Sequence, residues 1–292
     1  MRSNKNFRGI VAMLIAAALF SLMDTGLKLL SPHYPALEVT ALRSLSSLPL
    51  VCLYVAWNGG FRTIFRIRWP LHLLRGVLGI GMLAMFAFAL RHLALAEAYS
   101  IFFVAPMLIT ALSVPVLKER VEPARWIAIV VGLIGVLVVL RPTGDGVLTI
   151  GGLAVLIAAV CYAVSSVTVR VIGRTDSSDS MVFWLMVMIS IGAGALAAPN
   201  WQPVRLEHGW IIVGIAVTGF FGQIAITEAF RRGEASAIAP FEYSALAWGI
   251  SLDFALWHTL PDRYTLLGAA IIIASGVYLL RREKVHIESE HP

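Results

Sequence analysis

Charge is scarce in this chain. Only 14% of its 292 residues are Asp, Glu, Lys or Arg, against roughly 25% in an ordinary soluble domain. A soluble fold of this length would need a charged surface that these residues cannot supply. With 59% of the chain hydrophobic and a mean hydropathy of +0.82, lipid is the solvent that fits. Cysteine is nearly absent. Cys52 and Cys161 both sit inside apolar stretches, where a thiol behaves as a small hydrophobe rather than a disulfide partner or ligand. No H-E-x-x-H metal motif and no G-x-S-x-G elbow occurs, and His33, His72, His92, His208 and His258 fall at or near the ends of apolar stretches. These absences argue against an intramembrane enzyme, a metal site and a bound cofactor. The formal net charge is +6, yet Lys and Arg form short clusters and no basic face with interleaved aromatics, which argues against nucleic acid as a partner.

What is present is a series of stretches fit to cross a bilayer, which takes about 20 apolar residues per helix. Ten are read, at residues 10–30, 37–57, 71–90, 94–117, 124–140, 147–172, 180–198, 209–230, 235–258 and 264–280. The charged-then-apolar start has the order of a secretory signal, but its apolar character continues to Leu30, so it is expected to remain as a span. Short connections leave no room for an inserted soluble domain.

Orientation follows from the positive charges. With the N-terminus inside, the inner side carries Arg2, Lys5, Arg8, Arg62, Arg66, Arg68, Lys118, Arg120, Arg125, Arg170, Arg174, Arg231, Arg232, Arg281, Arg282 and Lys284. The outer side carries only Lys28, Arg91, Arg141, Arg205 and Arg263. Removing one span would reverse every later cluster and destroy this bias, so both termini of this multi-pass membrane protein are expected in the cytoplasm.

The two halves also repeat. MLIAAALFSLMDTGLK (13–28) aligns without gaps on VLIAAVCYAVSSVTVR (155–170), and ALRH (89–92) matches AFRR (229–232). With gaps, Pro106 matches Pro240, and Pro123-Ala-Arg125 matches Pro261-Asp-Arg263. Five spans make one unit, and an odd number forces the second copy to insert upside down. The expected fold is an all-α polytopic membrane protein, its ten transmembrane helices arranged as two inverted five-helix repeats around a central cavity. Residues 1–9 form a cytoplasmic N-terminus, 10–141 the first repeat, 147–280 the second and 281–292 a cytoplasmic tail.

Each unit carries an A-x-A then Pro segment (Ala96, Ala98, Pro106; Ala235, Ala237, Pro240) and closes on a Gly-dotted last helix (WIAIVVGLIGVLVVL; YTLLGAAIIIASGVYLL). On those features nearly the whole chain resembles the drug/metabolite transporter superfamily, in its EamA-type branch, and within it bacterial exporters of aromatic amino acids. The resemblance implies a ten-helix basket with a cavity lined mainly by the first four helices of each unit and a fifth acting as scaffold. It also implies an acid at the inner end of the fourth helix, present as Glu119. The corresponding end of the ninth span reads LWHTLPD and departs from that pattern.

Several residues stand out against the apolar background. Pro240 and Glu242 lie in AIAPFEYSALAW (237–248). A proline frees a backbone carbonyl, and a bare carboxylate at mid-bilayer costs about 3 kcal/mol, so both fit a cavity wall shared with Tyr243, Ser244 and Trp248. Glu242 also leaves room for proton coupling, or reaches Arg231 and Arg232 at the interface. Asp24 and Lys28, four residues apart on one helical face, either pair with each other or receive the ammonium and carboxylate of an amino acid. Arg43, six residues into its span, matches an arginine of the family and is expected to pair with Asp24 or Glu38, and secondarily to bind a carboxylate. Phe20, Met23, Met82, Met85, Phe86, Tyr99, Phe102, Phe103, Tyr162 and Trp184 offer an adaptable apolar lining. Ser165, Ser166, Thr168, Gln223, Thr227 and Glu228 supply hydrogen bonds to substrate or between helices. Gly132, Gly135, Gly268 and Gly276 suit close backbone packing, either of scaffold helices or at a subunit contact.

The expected partners are lipid and a small amphipathic substrate, and the expected activity is export. The competing readings are a same-fold carrier or flippase for a drug, nucleotide-sugar or lipid-linked intermediate, and a non-transporting assembly subunit. Cysteines placed at Ser3 and Ser289 in a chain freed of Cys52 and Cys161 should both resist an impermeant maleimide in intact cells. Labelling of either one from outside would reverse the topology.

Overall fold

Lipid offers no hydrogen-bond partner to a backbone, so a single segment that crosses it must be helical. The computed structural model of the protein has helices and no strand among its described residues, which are 2–30, 32–58, 64–65, 67–89, 101–140, 149–257 and 263–289. The first half holds α1 (Arg2–Leu30), α2 (Ala36–Trp57), α3 (Trp69–Ala89), α4 (Ala105–Leu112) and α5 (Pro123–Leu140). The second holds α6 (Ile150–Ile172), α7 (Ser178–Ala197), α8 (Gly209–Arg232), α9 (Ser244–Trp257) and α10 (Arg263–Ser289). Among the described residues six helices are long and apolar enough to cross a membrane, and shorter apolar helices cover Ala105–Leu117, Pro123–Val138 and Leu266–Tyr278. The protein is an all-α polytopic membrane protein.

The fourth helix of each half departs from regular α geometry, and proline is the local cause in each. After α4 the chain runs as a π-helical turn, Ser113–Leu117, around Pro115, and ends at Lys118 in the left-handed region (φ 57°). The stretch read as one ninth span is built in three pieces: a one-turn helix Ala235–Ile238, a 3-10 segment Ala239–Tyr243 containing Pro240, and then α9. Proline removes a donor and crowds the preceding turn, and the chain answers by widening into a π turn in the first half and tightening into a 3-10 segment in the second.

The most intimate packing runs between the halves. α1 lies along α8, α3 along α6, α2 along α7 and α5 along α10, with α1 against α9 and α4 against α6 as further pairs. Exchanging α1 with α6, α2 with α7, α3 with α8, α4 with α9 and α5 with α10 turns this set of contacts into itself. Polar bridges follow the same seams. Ser47 Oγ donates to the Ala216 carbonyl at 3.2 Å, Ser21 Oγ to that of Ala245 at 3.3 Å, and Ser275 Oγ to that of Ala128 at 2.7 Å.

The glycines of the last helices bring α5 and α10 together. A Cβ on Gly135 would fall 3.0 Å from the Gly268 carbonyl and 2.8 Å from Ile272, and one on Gly132 would meet the Tyr243 ring at 2.5 Å. Backbone on the far side of Gly135 cannot yield without moving a helix. Gly135→Val should therefore cost about 1–3 kcal/mol, the usual size of overpacking. The check is a lowered midpoint of thermal unfolding in detergent, with Gly194→Val, which points into open space, as the near-silent control.

Candidate functional site

The ungapped repeat has a direct spatial outcome. Phe20, Met23 and Asp24 of α1 line a central cavity, and so do Tyr162, Ser165 and Ser166, the positions aligned with them on α6. The cavity holds about 310 Å³, at the lower end of the range for small-molecule sites. α2 adds Thr40, Arg43 and Ser44; α3 adds Arg75 and Met82; α7 adds Leu185 and Ile189; α8 adds Gln223 and Thr227. The described wall thus comes from the first three helices of each half, with Phe102, ahead of α4, as the one contribution from the fourth segments. α5 and α10 supply none of the described lining.

Polar groups tolerate this depth because the cavity wets them. Asp24 is exposed although it sits well inside α1. Arg43 stacks its guanidinium 5.6 Å from the centre of the Phe20 ring, and its charge attracts that of Asp24. No ion pair closes between Arg43 and either Asp24 or Glu38 among the described residues. Glu38 is fully buried and accepts from the Gln202 backbone N–H at 2.9 Å. The expected Arg43–Glu38 pairing fails because five residues along a helix place the two side chains on different faces. Gln223 Nε2 donates to Thr227 Oγ1 at 3.4 Å, both of them buried in the wall.

Other residues singled out by sequence lie away from the cavity surface. Tyr162 donates its hydroxyl to Glu242 Oε1 at 3.1 Å, so Glu242 stands one side chain behind the wall. Pro240 and Tyr243 are buried, and the Tyr243 hydroxyl donates to the Phe103 carbonyl at 3.1 Å. Phe103 packs on Tyr243, Met85 joins the cluster of Ala89, Ile101 and Val155, and Ser244 Oγ donates to the Phe241 carbonyl. Trp184 stacks with Phe65, Trp69 and Phe183 while its Nε1 donates to the Ile64 carbonyl at 2.8 Å. Trp248 is exposed on the outside of α9. The 3-10 segment is the physical reason for several of these placements, since it swings residues 240–244 into the packing against α1, α4 and α5. Of Lys28 only the backbone is described, and Tyr99 lies outside the described residues.

Thr40, Ser44, Leu185 and Ile189 line the cavity without standing out in the sequence, and so does one charged residue, Arg75. Arg75, only 4% exposed, sits on α3 and gives its Nη1 to the Met181 carbonyl at 3.0 Å. The rule that picked out Arg43, an arginine several residues inside an apolar span, applies equally to Arg75.

At the end of the bundle that holds the start of α1, ionic contacts tie the halves together. Glu119 accepts from the backbone N–H groups of Ala235 and Ser236 at 3.0 and 3.1 Å and from Ser236 Oγ at 2.8 Å, with Arg170 at 4.0 Å. Its carboxylate caps the broken ninth span, satisfying donors that would otherwise be orphaned. Arg125 pairs with Glu234 at 2.7 Å, and the Glu234 N–H donates to Asn6 Oδ1 at 2.9 Å. His72 Nε2 lies 3.0 Å from Asp176 Oδ2, and within the second half Glu228 accepts from Ser178 and Arg232.

The pattern of the EamA-like transporter family matches this chain twice, over residues 7–141 and again over 149–281. The pseudopaline exporter of Pseudomonas aeruginosa is 25% identical over 94% of this chain and 97% of its own. The riboflavin transporter of Vibrio cholerae is 25% identical over 94% of each chain. The S-adenosylmethionine uptake transporter of Rickettsia prowazekii is 27% identical over 97% of this chain and 96% of its own. A solved crystal structure superposes with a TM-score of 0.80 at 21% identity, covering 96% of this chain and 98% of that one, which shows the fold.

Asp176, in the turn between α6 and α7, gives a pH test of the seam. Burial alone would raise its carboxyl, but hydrogen bonds from Thr175, the Arg68 backbone N–H and His72 outweigh it and hold the group below the ordinary carboxylate range. A depressed acid contributes stability that is fully present above the ordinary value of about 3.9 and is lost as pH falls through the lower folded-state value. Thermal midpoints taken down to pH 3 should fall more steeply for the wild type than for Asp176→Asn. The variant should already be the less stable at neutral pH.

Proposed function

This chain belongs to the EamA-like transporter family, and from that premise we propose that it exports small amphipathic amino acids, aromatic ones among them, by alternating access. One observation carries the reading: Asp24 and Arg43 share a cavity with Phe20, Met23, Met82, Phe102 and Tyr162. The carboxylate of Asp24 suits a substrate ammonium, and the guanidinium of Arg43 suits a carboxylate. Thioethers and aromatic edges accept a flat ring. The names of the relatives differ in substrate and in direction, from exporter to uptake transporter. They support small-molecule transport and leave the substrate to the chemistry of the cavity, while outward direction follows the resemblance to exporters.

Two five-helix units inserted in opposite senses give two equivalent ways of closing the same cavity. The charge bias supports the N-terminal face as the cytoplasmic one. On that face Glu119, Glu234 and Asp176 tie the halves together, and substrate entry from the cytoplasm requires those ties to part. Binding shifts such an equilibrium only by its differential affinity for the two states, so the ties must be few and individually modest. Glu242 is the carboxyl assigned to proton coupling, because Tyr162 touches both it and the cavity.

Purified protein in liposomes should take up labelled tryptophan and phenylalanine and ignore sugars. A proton gradient should stimulate the uptake. Glu242→Gln should lose that stimulation while keeping exchange without a gradient. Indifference to aromatic amino acids would overturn the substrate reading, and full gradient dependence in Glu242→Gln would exclude the carboxyl as carrier.

A further inference from the structure

Three charged side chains line the cavity among the described residues: Asp24, Arg43 and Arg75. Asp24 and Arg43 offset one another. Arg75 is left over. Its Nη1 is satisfied by the Met181 carbonyl, but its Nε is buried without a hydrogen-bond partner. Asp176, the acid one turn away through His72, is engaged by His72, Thr175 and the Arg68 backbone. A carbonyl accepts a hydrogen bond yet neutralises no charge, so among the described residues the guanidinium, six residues inside its apolar span, meets no acid that offsets it, which is expensive to maintain.

The fold does not demand it. Extending the match of ALRH with AFRR back along the two helices pairs Gly79 with Gly219 and Arg75 with Ile215. Ile215 is buried in an apolar cluster with Met23, Tyr34 and Ile211. The same helix position in the other half is therefore filled by an ordinary hydrophobe, and the cation belongs to the cavity's chemistry. With Nη1 held by Met181, the side edge of the guanidinium that includes Nε is the one left to receive a carboxylate in bidentate fashion.

Resting on the transport reading above, we propose that the cavity selects amphipathic substrates bearing one more carboxylate than amine groups, and that Arg75 is the specificity-determining residue that holds the additional carboxylate. An aromatic amino acid fills the Asp24, Arg43 and ring sites and leaves Arg75 unmatched. A compound with a second carboxylate matches all of them.

Binding to purified wild-type protein tests this with phenylalanine, its amide and γ-glutamyl-phenylalanine, whose net charges are zero, plus one and minus one. γ-Glutamyl-phenylalanine should bind at least about tenfold more tightly than phenylalanine, the scale of a charged hydrogen bond, and the amide most weakly. Arg75→Gln, which keeps a donor for the Met181 carbonyl, should erase the preference while holding phenylalanine within about threefold, and Arg75→Lys should retain part of it. Phenylalanine bound without any preference, or a preference that survives in Arg75→Gln, overturns this inference alone. Tighter binding of O-phosphotyrosine than of γ-glutamyl-phenylalanine overturns the assignment to carboxylate. Binding of none of these compounds overturns the amino-acid reading of the cavity as well. The comparison among ligands in the wild type needs no variant to fold.

Discussion

Hydrocarbon cannot donate or accept a hydrogen bond, and that constraint decides where the polar groups of this protein go. Glu119 shows it most directly. Its carboxylate sits at the end of the first half's fourth segment and caps the first N–H groups of the interrupted ninth span in the second half. Ser21, Ser47 and Ser275 send their hydroxyls to carbonyls of the opposite half. Arg125 and His72 find their acids there too. Satisfying polar groups and joining the repeats are one event, which is why the closest helix pairs are the crossed ones.

A duplicated wall has then diverged. Phe20 and Tyr162 face the cavity from aligned positions, but only the tyrosine has a hydroxyl, and it reaches back to Glu242. Asp24 and Ser166 likewise occupy one aligned position with a charge in one half and none in the other. Arg75 against Ile215 repeats the theme on α3 and α8. The scaffold is close to two-fold while the chemistry is one-sided, so a bound molecule meets a single set of charges in a single orientation.

Much of this was legible in the amino-acid order. Membrane class, span positions, the duplication and the inward placement of Phe20, Asp24, Arg43 and Tyr162 follow from hydropathy, charge bias and register, all of which are local or nearly so. The ninth span was harder. Its apolar run is continuous from Ala235, and hydropathy alone does not distinguish one helix from a helix broken at Pro240. The depth of Glu242 is visible in sequence, but which way a 3-10 turn aims it is not. The partners of Glu119 and Glu38 lie more than a hundred residues away, beyond any periodicity. Arg75 was overlooked for a simpler reason: one cation in a strongly apolar stretch barely lowers the average.

The crossed packing bears on how the protein is made. A ribosome delivers α1 to α5 before any residue of α6 exists, and domains ordinarily fold in that order. Here the early helices are not a domain. Until the second half emerges, Glu119 lacks the Ala235 and Ser236 amides, Arg125 lacks Glu234, and α1 has no α8 to lie against. The nascent first repeat must wait in the membrane with its polar seam in contact with lipid or the insertion machinery, so the stretch of synthesis between Leu140 and Arg232 is the interval in which this chain is most exposed to quality control.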